Sequence, residues 1–242
     1  GAAVSPAAPD EPGGQTARSG MELVLSDRFL VAVAGITLLL NWVNTNGENL
    51  LFRVLQADLG RQMAAQGVAS DSMAALEYTR TVNTIFYSNF YTWVTGLALL
   101  LQAFVASGLL KRGGVPAILL LLPLVSLVSY TAMWFVPALR VVKLMKVAEN
   151  ATDYSINNTA RHVLWLPVPP GMTYQGKPTI DSLVTRVGDG LAALTVLIGG
   201  HVLDLATDTF FGFNVALVLL WILVGVEVIR RHRRLAREAA RR

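Results

Sequence analysis

Residues 138–166 read ALRVVKLMKVAENATDYSINNTARHVLWL, with a polar or charged residue at about every third or fourth position. At about 100° per residue, these polar positions fall on one face of an α-helix and the apolar positions fall on the other. The polar face consists of Arg140, Lys143, Lys146, Glu149, Asp153, Asn157 and Arg161. The stretch therefore predicts an amphipathic helix with a stripe of ionisable side chains, and we call it the striped segment.

The composition of the whole chain indicates a membrane protein. Of its 242 residues, 53% are hydrophobic and only 15% are charged, and the mean hydropathy is +0.50. An ordinary soluble domain is less apolar than this. Residues 115–136 and 210–226 contain no charged residue, and each stretch is long enough to cross a hydrocarbon core of about 30 Å. We therefore expect an integral, multi-pass membrane protein in contact with the lipid bilayer.

Several kinds of chemistry are excluded by residue content. The chain has no cysteine, so disulfides and thiolate ligands are absent. His162, His201 and His232 are not spaced as metal ligands, and we predict no metal site, no cofactor and no enzymatic activity. Seven arginines and one glutamate lie in residues 230–242. A basic tail directly after an apolar helix is more typical of a cytoplasmic end that contacts anionic lipid than of a nucleic-acid site.

Composition divides the chain into three parts. Residues 1–20 are rich in alanine, proline, glycine and serine and predict a disordered interdomain linker. Residues 27–230 predict an all-α domain of six transmembrane helices, with Ser26 or Asp27 capping the first. Residues 231–242 predict a basic cytoplasmic tail. The helices are predicted at residues 27–55, 80–110, 115–136, 138–166, 179–205 and 209–229.

The predicted connections differ in character. Residues 56–77 predict a mixed-charge loop or a surface helix, and residues 111–114 predict a tight basic turn. Residues 165–178 contain several prolines and glycines and predict a stiff, non-helical connection. Six helices and a cytoplasmic tail place the N-terminus on the cytoplasmic side as well.

The second half of the first predicted helix is unusually polar. Its polar residues are Asn41, Asn44, Thr45, Asn46, Glu48 and Asn49. Such side chains at membrane depth are costly unless they face other helices or water. Two interpretations follow, hydrogen bonding between helices or the lining of a solvated pathway.

Polarity recurs with a period of three helices. The first and fourth helices are polar along one face, the second and fifth are polar in one half, and the third and sixth are almost wholly apolar. Inverted repeats of three helices produce this pattern, because the first helix of each triplet lines the pathway and the third faces lipid. We therefore expect one 3+3 half of a major-facilitator-like transporter, with a generic six-helix bundle as the alternative.

The motifs of this region resemble a known family. They are KLMKVAENATDYSINNTAR at residues 143–161, LWLP at 164–167, KPTID at 177–181 and RVGD at 186–189. Together they resemble the C-terminal half of the nucleotide transporter, or ATP/ADP antiporter, family of plastids and intracellular bacteria, a branch of the major facilitator superfamily. The resemblance spans residues 27–230, and NWVNTNGEN at residues 41–49 looks more like divergent homologues in free-living bacteria.

This resemblance implies a twelve-helix transporter in the bacterial inner membrane, with an N-terminal six-helix half as the partner of this chain. The family exchanges nucleotides, and charged residues of its pathway helices contact the substrate. We therefore expect secondary active transport of an anionic solute, with a nucleotide as the leading candidate, by alternating access of the two halves. The alternative is a transporter-derived membrane anchor or sensor module without transport activity.

Candidate site residues fall into three groups. Cations clustered in a cavity of low polarity favour a polyanion, and the predicted substrate-binding residues are Arg140, Lys143, Lys146, Asn157, Asn44 and Asn49. Glu48, Glu149 and Asp153 are expected to form ion pairs or to bind coupling protons, with internal salt bridging as the structural alternative. The predicted gating residues are Arg161, Asp181, Arg186 and Asp189, of which Arg186 and Asp189 are expected to pair as i,i+3 neighbours.

Overall fold

The computed structural model describes residues 20–69, 72–239 and 241, and within them the chain is helical, without a strand. The predicted linker at residues 1–20 lies outside the described residues, apart from Gly20, which begins a helix. The described helices are α1 (Gly20–Ser26), α2 (Arg28–Ala65), α3 (Met73–Leu100), α4 (Ser107–Phe135), α5 (Leu139–Thr152), α6 (Asn158–Leu164), α7 (Pro170–Thr179), α8 (Thr185–Leu197) and α9 (Thr207–Ala239). π-helical turns at Leu101–Ala106, Asp153–Asn157 and Ile180–Val184 join consecutive helices, and a fourth at Ile198–Val202 extends α8.

Four stretches of the described chain are long and apolar enough to cross a membrane, in agreement with the predicted integral membrane protein. They are Arg28–Ala65, Met73–Phe135, Pro170–Gly200 and Thr207–Glu238. The striped segment is not among them. The second stretch has 63 residues, which as one straight helix would measure about 95 Å.

Gly114 breaks that long stretch. Its backbone is non-helical, with φ 63° and ψ −163°, and this left-handed region favours glycine because a Cβ atom would clash there. The break lies directly after Lys111 and Arg112, where the sequence predicts a tight basic turn. The prediction of a turn between two apolar helices at this point is therefore confirmed.

The first long helix begins where the sequence predicts it and ends later. The Asp27 carboxylate accepts hydrogen bonds from the backbone N–H groups of Phe29 and Leu30, at 2.8 and 2.9 Å, which is the predicted N-cap. α2 then continues to Ala65, ten residues beyond its predicted end. Asp58 binds Arg61 at 2.9 Å on the added turns, so most of the mixed-charge region is a surface helix.

The prediction of a non-helical connection over residues 165–178 is wrong. α7 occupies most of it and begins at Pro170. Proline is tolerated in the first turn of a helix, where its missing N–H would have no intrahelical partner. Pro178 lies two residues before the π-helical turn at Ile180–Val184, where the regular hydrogen-bond pattern changes. Only residues 165–169 are irregular.

Helix α2 lies at the centre of the bundle. It packs against α5, α8 and α9, while α4 packs against α5 and α9, and α3 packs against α5. Buried apolar side chains of α2, such as Leu40, Val43 and Leu51, belong to one continuous core. The polar half of α2 is thereby held against the striped segment.

The beginning of α2 and the end of α9 share one end of the bundle. The rings of Phe29 and His232 lie 6.4 Å apart, and Gly176 of α7 packs against Leu30. Since His232 is 8% exposed, the predicted basic tail starts as a packed continuation of α9. We call this end the tail end.

The opposite end holds the end of α2 and the beginning of α9. The Arg53 guanidinium lies 4.8 Å from the centre of the Phe210 ring, and Trp134 of α4 packs against Gly212. α2 and α9 are therefore antiparallel, and α4 runs from the tail end towards this one. We call it the far end.

Candidate functional site

A buried ion pair lies inside the bundle on the striped segment. Lys146 has no exposed surface, and its Nζ atom donates to Oε2 of Glu149 at 2.8 Å. The other carboxylate oxygen, Oε1, accepts a hydrogen bond from the Ser126 hydroxyl of α4 at 2.9 Å. Both oxygens of Glu149 are therefore occupied, and α4 holds the pair from the side.

A second carboxylate approaches the same lysine from α2. Oε1 of Glu48 lies 3.5 Å from Nζ of Lys146 and accepts a hydrogen bond from Nδ2 of Asn150 at 2.8 Å. The Asn44 side-chain oxygen accepts from Lys146 at 3.2 Å. We call Glu48, Lys146 and Glu149 the charge cluster. One lysine thus stands between two carboxylates from two different helices.

Gly47 allows the two helices to meet at this point. Its backbone lies against the Tyr130 hydroxyl and against Nζ of Lys146, which would be 2.8 Å from an added Cβ atom. Tyr130 donates a hydrogen bond to the Val43 carbonyl at 3.1 Å. Small residues at helix contacts allow close approach in membrane proteins, and the charge cluster depends on that approach.

Two further cations of the striped segment lie on a groove between α3 and α5. Arg140 and Lys143 line it together with Trp93 and mainly apolar neighbours, and its volume is about 860 Å³. Nζ of Lys143 lies 5.0 Å from the centre of the Phe86 ring, a cation–π distance. Neither cation has a carboxylate partner in the part of the chain that the structure describes. The groove therefore offers two available positive charges beside an aromatic ring.

Two asparagine side chains that were predicted to bind the substrate form hydrogen bonds within their own helical segments. Asn157 is 5% exposed, and its Nδ2 donates to Asp153 at 2.7 Å across the π-helical turn. Asn49 donates to the backbone carbonyl of Thr45 at 2.9 Å. Neither amide is among the residues lining the groove.

The four predicted gating residues form two separate pairs. Arg161 lies 3.4 Å from Asp181, which joins α6 to the π-helical turn before α8. Arg186 lies 3.7 Å from Asp189, so the predicted i,i+3 pair is confirmed. The side chain of Arg186 is 84% exposed, while Asp189 also accepts a hydrogen bond from the Thr45 hydroxyl of α2 at 2.9 Å.

The polar half of α2 makes hydrogen bonds to other helices. Nδ2 of Asn46 donates to Asn214 of α9 at 3.0 Å, and the Trp42 indole donates to the Thr195 hydroxyl of α8 at 2.9 Å. For these side chains, the helix-to-helix interpretation describes the structure. Lys146 and Glu149 likewise form the internal salt bridge that was the structural alternative for them.

Four partner residues were not predicted as site residues. They are Ser126, Tyr130, Asn150 and Asn214. Ser126, Tyr130 and Asn214 are among the few polar residues of otherwise apolar stretches, and Asn150 follows Glu149 as Asn49 follows Glu48. A polar residue inside an apolar span is a usable signal, because it needs a partner there.

No family model, curated protein or solved structure matches the chain. Its class therefore rests on the fold and the site. The chain is an all-helical protein with four apolar helices of membrane-spanning length. Its bundle holds a lysine that contacts two carboxylates.

Proposed function

We propose that residues 27–230 form six transmembrane helices, arranged as one 3+3 half of a major-facilitator-like secondary transporter. The break at Gly114 supports two crossings within Met73–Phe135. Residues 139–164 would supply another, since 26 residues span about 39 Å. The charged residues of this segment lower its hydropathy, and two of them, Lys146 and Glu149, lie within the bundle, as charges of membrane helices usually do. The first helices of the two triplets, α2 and α5, meet at the charge cluster.

The proposed orientation has both termini in the cytoplasm of a bacterial cell, with the domain in the inner membrane. The tail end carries Arg161, Lys177 and the arginines of residues 230–241. At the far end, Arg53 and Arg61 are offset by Asp58, Asp204 and Asp208. An excess of lysine and arginine marks cytoplasmic loops. This charge distribution supports the orientation.

The proposed activity is secondary active transport of an anionic solute, by alternating access with an N-terminal six-helix half. One observation carries it, the presence of Arg140 and Lys143 on the groove without carboxylate partners. Lys143 lies about one turn further into the helix than Arg140, and a cation at the centre of a membrane helix costs about 3 kcal/mol by insertion scales. Unpaired cations on a groove of this kind support a site for an anion. The groove is also large enough for a small organic molecule.

Nucleotides are the first solutes to test. The phosphate groups of a nucleotide would bind the two cations, and its base would stack on Trp93, since aromatic rings bind every base through its flat face. This assignment also follows the resemblance of the motifs at residues 143–189 to the nucleotide transporter family.

The alternative is a transporter-derived anchor or sensor without transport activity. The satisfied pairing of Lys146 with Glu149 favours it, because an internal ion pair needs no solute. It does not account for the available charges of Arg140 and Lys143. Measurement of uptake distinguishes the two proposals.

The test uses the full-length protein in liposomes with radiolabelled ATP. We expect Lys143→Gln to lower uptake at least about tenfold, because a charge-assisted contact contributes about 1.5–3 kcal/mol. Lys111→Gln is the matched control, since Lys111 is an exposed lysine in the basic turn, and it should leave uptake unchanged. Equal uptake by wild type and Lys143→Gln would remove the substrate role of the groove. Absence of ATP uptake by the wild type would favour the anchor, or a different anion.

A further inference from the structure

The charge cluster contains one cation for two carboxylates. Lys146 is the cation in both ion pairs, at 2.8 Å from Glu149 and 3.5 Å from Glu48. With both carboxylates ionised, the cluster carries a net charge of minus one inside the bundle. An uncompensated charge in a region of low polarity is unfavourable. A proton would balance it without any movement of the helices.

The two carboxylates are not equivalent. Glu149 is almost fully buried, and both of its oxygens hold hydrogen bonds from Ser126 and Lys146. The Glu48 side chain is 32% exposed, and its contacts with Asn150 and Lys146 both use Oε1. Oε2 of Glu48 is therefore the oxygen that can accept a proton and exchange it with an aqueous side.

Asn150 fits both protonation states of Glu48. It is 2% exposed, its Nδ2 donates to Glu48, and its buried Oδ1 has no hydrogen-bond partner. A proton on Oε2 leaves Oε1 able to keep accepting this hydrogen bond, because the carbonyl oxygen of a protonated carboxyl group is still an acceptor. The same Asn150 donor therefore serves both states.

Other titratable groups around Glu48 are phenols, which are uncharged at ordinary pH. They are Tyr87 and Tyr91 on α3, Tyr130 on α4, and Tyr154 on the π-helical turn. Asp153 binds Asn157 and is also coupled electrostatically to Arg161, Glu149 and Lys146, so it adds negative charge near the cluster. Lys146 is the cation that pairs with Glu48 in the described part of the chain.

We propose that the charge cluster binds one exchangeable proton, carried by Glu48, and that this proton couples transport to the proton gradient. In each cycle an O–H bond forms at Glu48 on one side of the membrane and breaks on the other, while the cluster alternates between net charges of zero and minus one. The coupling part rests on the proposed transport function. The proton-binding part does not.

Infrared difference spectroscopy tests proton binding without a solute. The full-length protein in nanodiscs is compared between neutral and alkaline buffer, where surface carboxyl groups are already ionised. We expect a protonated-carboxyl band in the wild type that Glu48→Gln removes and Glu48→Asp retains. Asp58→Asn is the control, because Asp58 pairs with Arg61 near the far end, and it should keep the band. A wild type without the band, or a Glu48→Gln variant that keeps it, would overturn the inference.

A second measurement tests coupling. An inward proton gradient should accelerate ATP uptake by wild-type liposomes at least about tenfold relative to Glu48→Gln, which should no longer respond to the gradient. If the wild type takes up no ATP, the proposed activity fails for that solute, while the infrared result still decides the proton site. If uptake occurs and ignores the gradient in the wild type, the coupling is wrong.

Discussion

Gly47 is the residue at which the charge cluster is most sensitive to size. A Cβ atom there would collide with the Tyr130 hydroxyl and crowd Nζ of Lys146. We expect Gly47→Ala to lower the free energy of unfolding by about 1–3 kcal/mol, the usual cost of overpacking. The thermal melting of the purified full-length protein measures this effect.

Gly60 provides the matched control on the same helix. It lies in α2 with nothing within 4 Å of an added Cβ atom, so Gly60→Ala should leave the melting temperature unchanged or raise it slightly. If both alanine variants melt alike, the close contact at Gly47 is not important for stability.

The charged residues of the cluster could be recognised from the sequence, but their orientation could not. The i,i+3 spacing of Lys146 and Glu149 indicates a pair on one face. Which way that face points depends on Ser126, Asn44 and Glu48, which lie about 20 to 100 residues away in the chain. From spacing alone, the whole stripe is therefore expected to face one pathway. In the structure, Lys146 is inside the bundle and Lys143 lies on the groove.

At the scale of helices, Gly188 lies at a close contact between α2 and α8. An added Cβ atom would lie 2.8 Å from the Leu38 carbonyl oxygen and 2.9 Å from Cβ of Asn41. We expect Gly188→Val to push α8 away from α2 and to weaken the nearby bonds Thr45–Asp189 and Trp42–Thr195. The expected loss is about 1–3 kcal/mol of stability, measured as a lower melting temperature in detergent.

Gly190 is the control for this contact. It lies two residues further along α8, with nothing within 4 Å of an added Cβ atom. Gly190→Val introduces the same β-branched side chain and therefore the same loss of helix propensity. A melting temperature as low as that of Gly188→Val would show that propensity, and not the α2–α8 contact, causes the effect.

Helix positions were easier to predict than helix ends. Apolar stretches locate α2, α4 and α9 because membrane burial dominates their composition. A helix predicted from an apolar stretch ends where the apolar residues end. In the structure, the backbone hydrogen bonds of α2 continue to Ala65 and those of α9 continue to Ala239. At residues 170–179 the prolines suggested a loop, but proline at the start of a helix leaves the hydrogen-bond ladder intact.

For the whole molecule, composition was sufficient for the class and insufficient for the topology. The high apolar content predicts a helical membrane protein, and four helices that are long and apolar enough to cross a membrane agree with it. The number of crossings depends on the striped segment, because its interior charges lower its hydropathy. The six-helix, 3+3 arrangement therefore stays a prediction, and the orientation of the segment's two ends decides it.

Because the chain has no cysteine, single cysteines can report this topology directly. Ala138 and Leu166 lie at the two ends of the striped segment, and both are exposed. If the segment crosses the membrane, a cysteine at Ala138 should react with a membrane-impermeant maleimide in intact cells. A cysteine at Leu166 should react only after permeabilisation, because it lies at the tail end, which carries the basic residues.

Two further single-cysteine variants serve as references for the two sides of the membrane. Ala206, in the last connection of the far end, should label like Ala138, and Lys111, in the basic turn, should label like Leu166. Labelling of positions 138 and 166 from the same side would exclude a crossing by the striped segment. If position 166 labels in intact cells and position 138 labels only after permeabilisation, the segment still crosses the membrane, but in the opposite orientation. The buried charge cluster is compatible with either orientation, because it requires only that α2 and α5 both span the membrane.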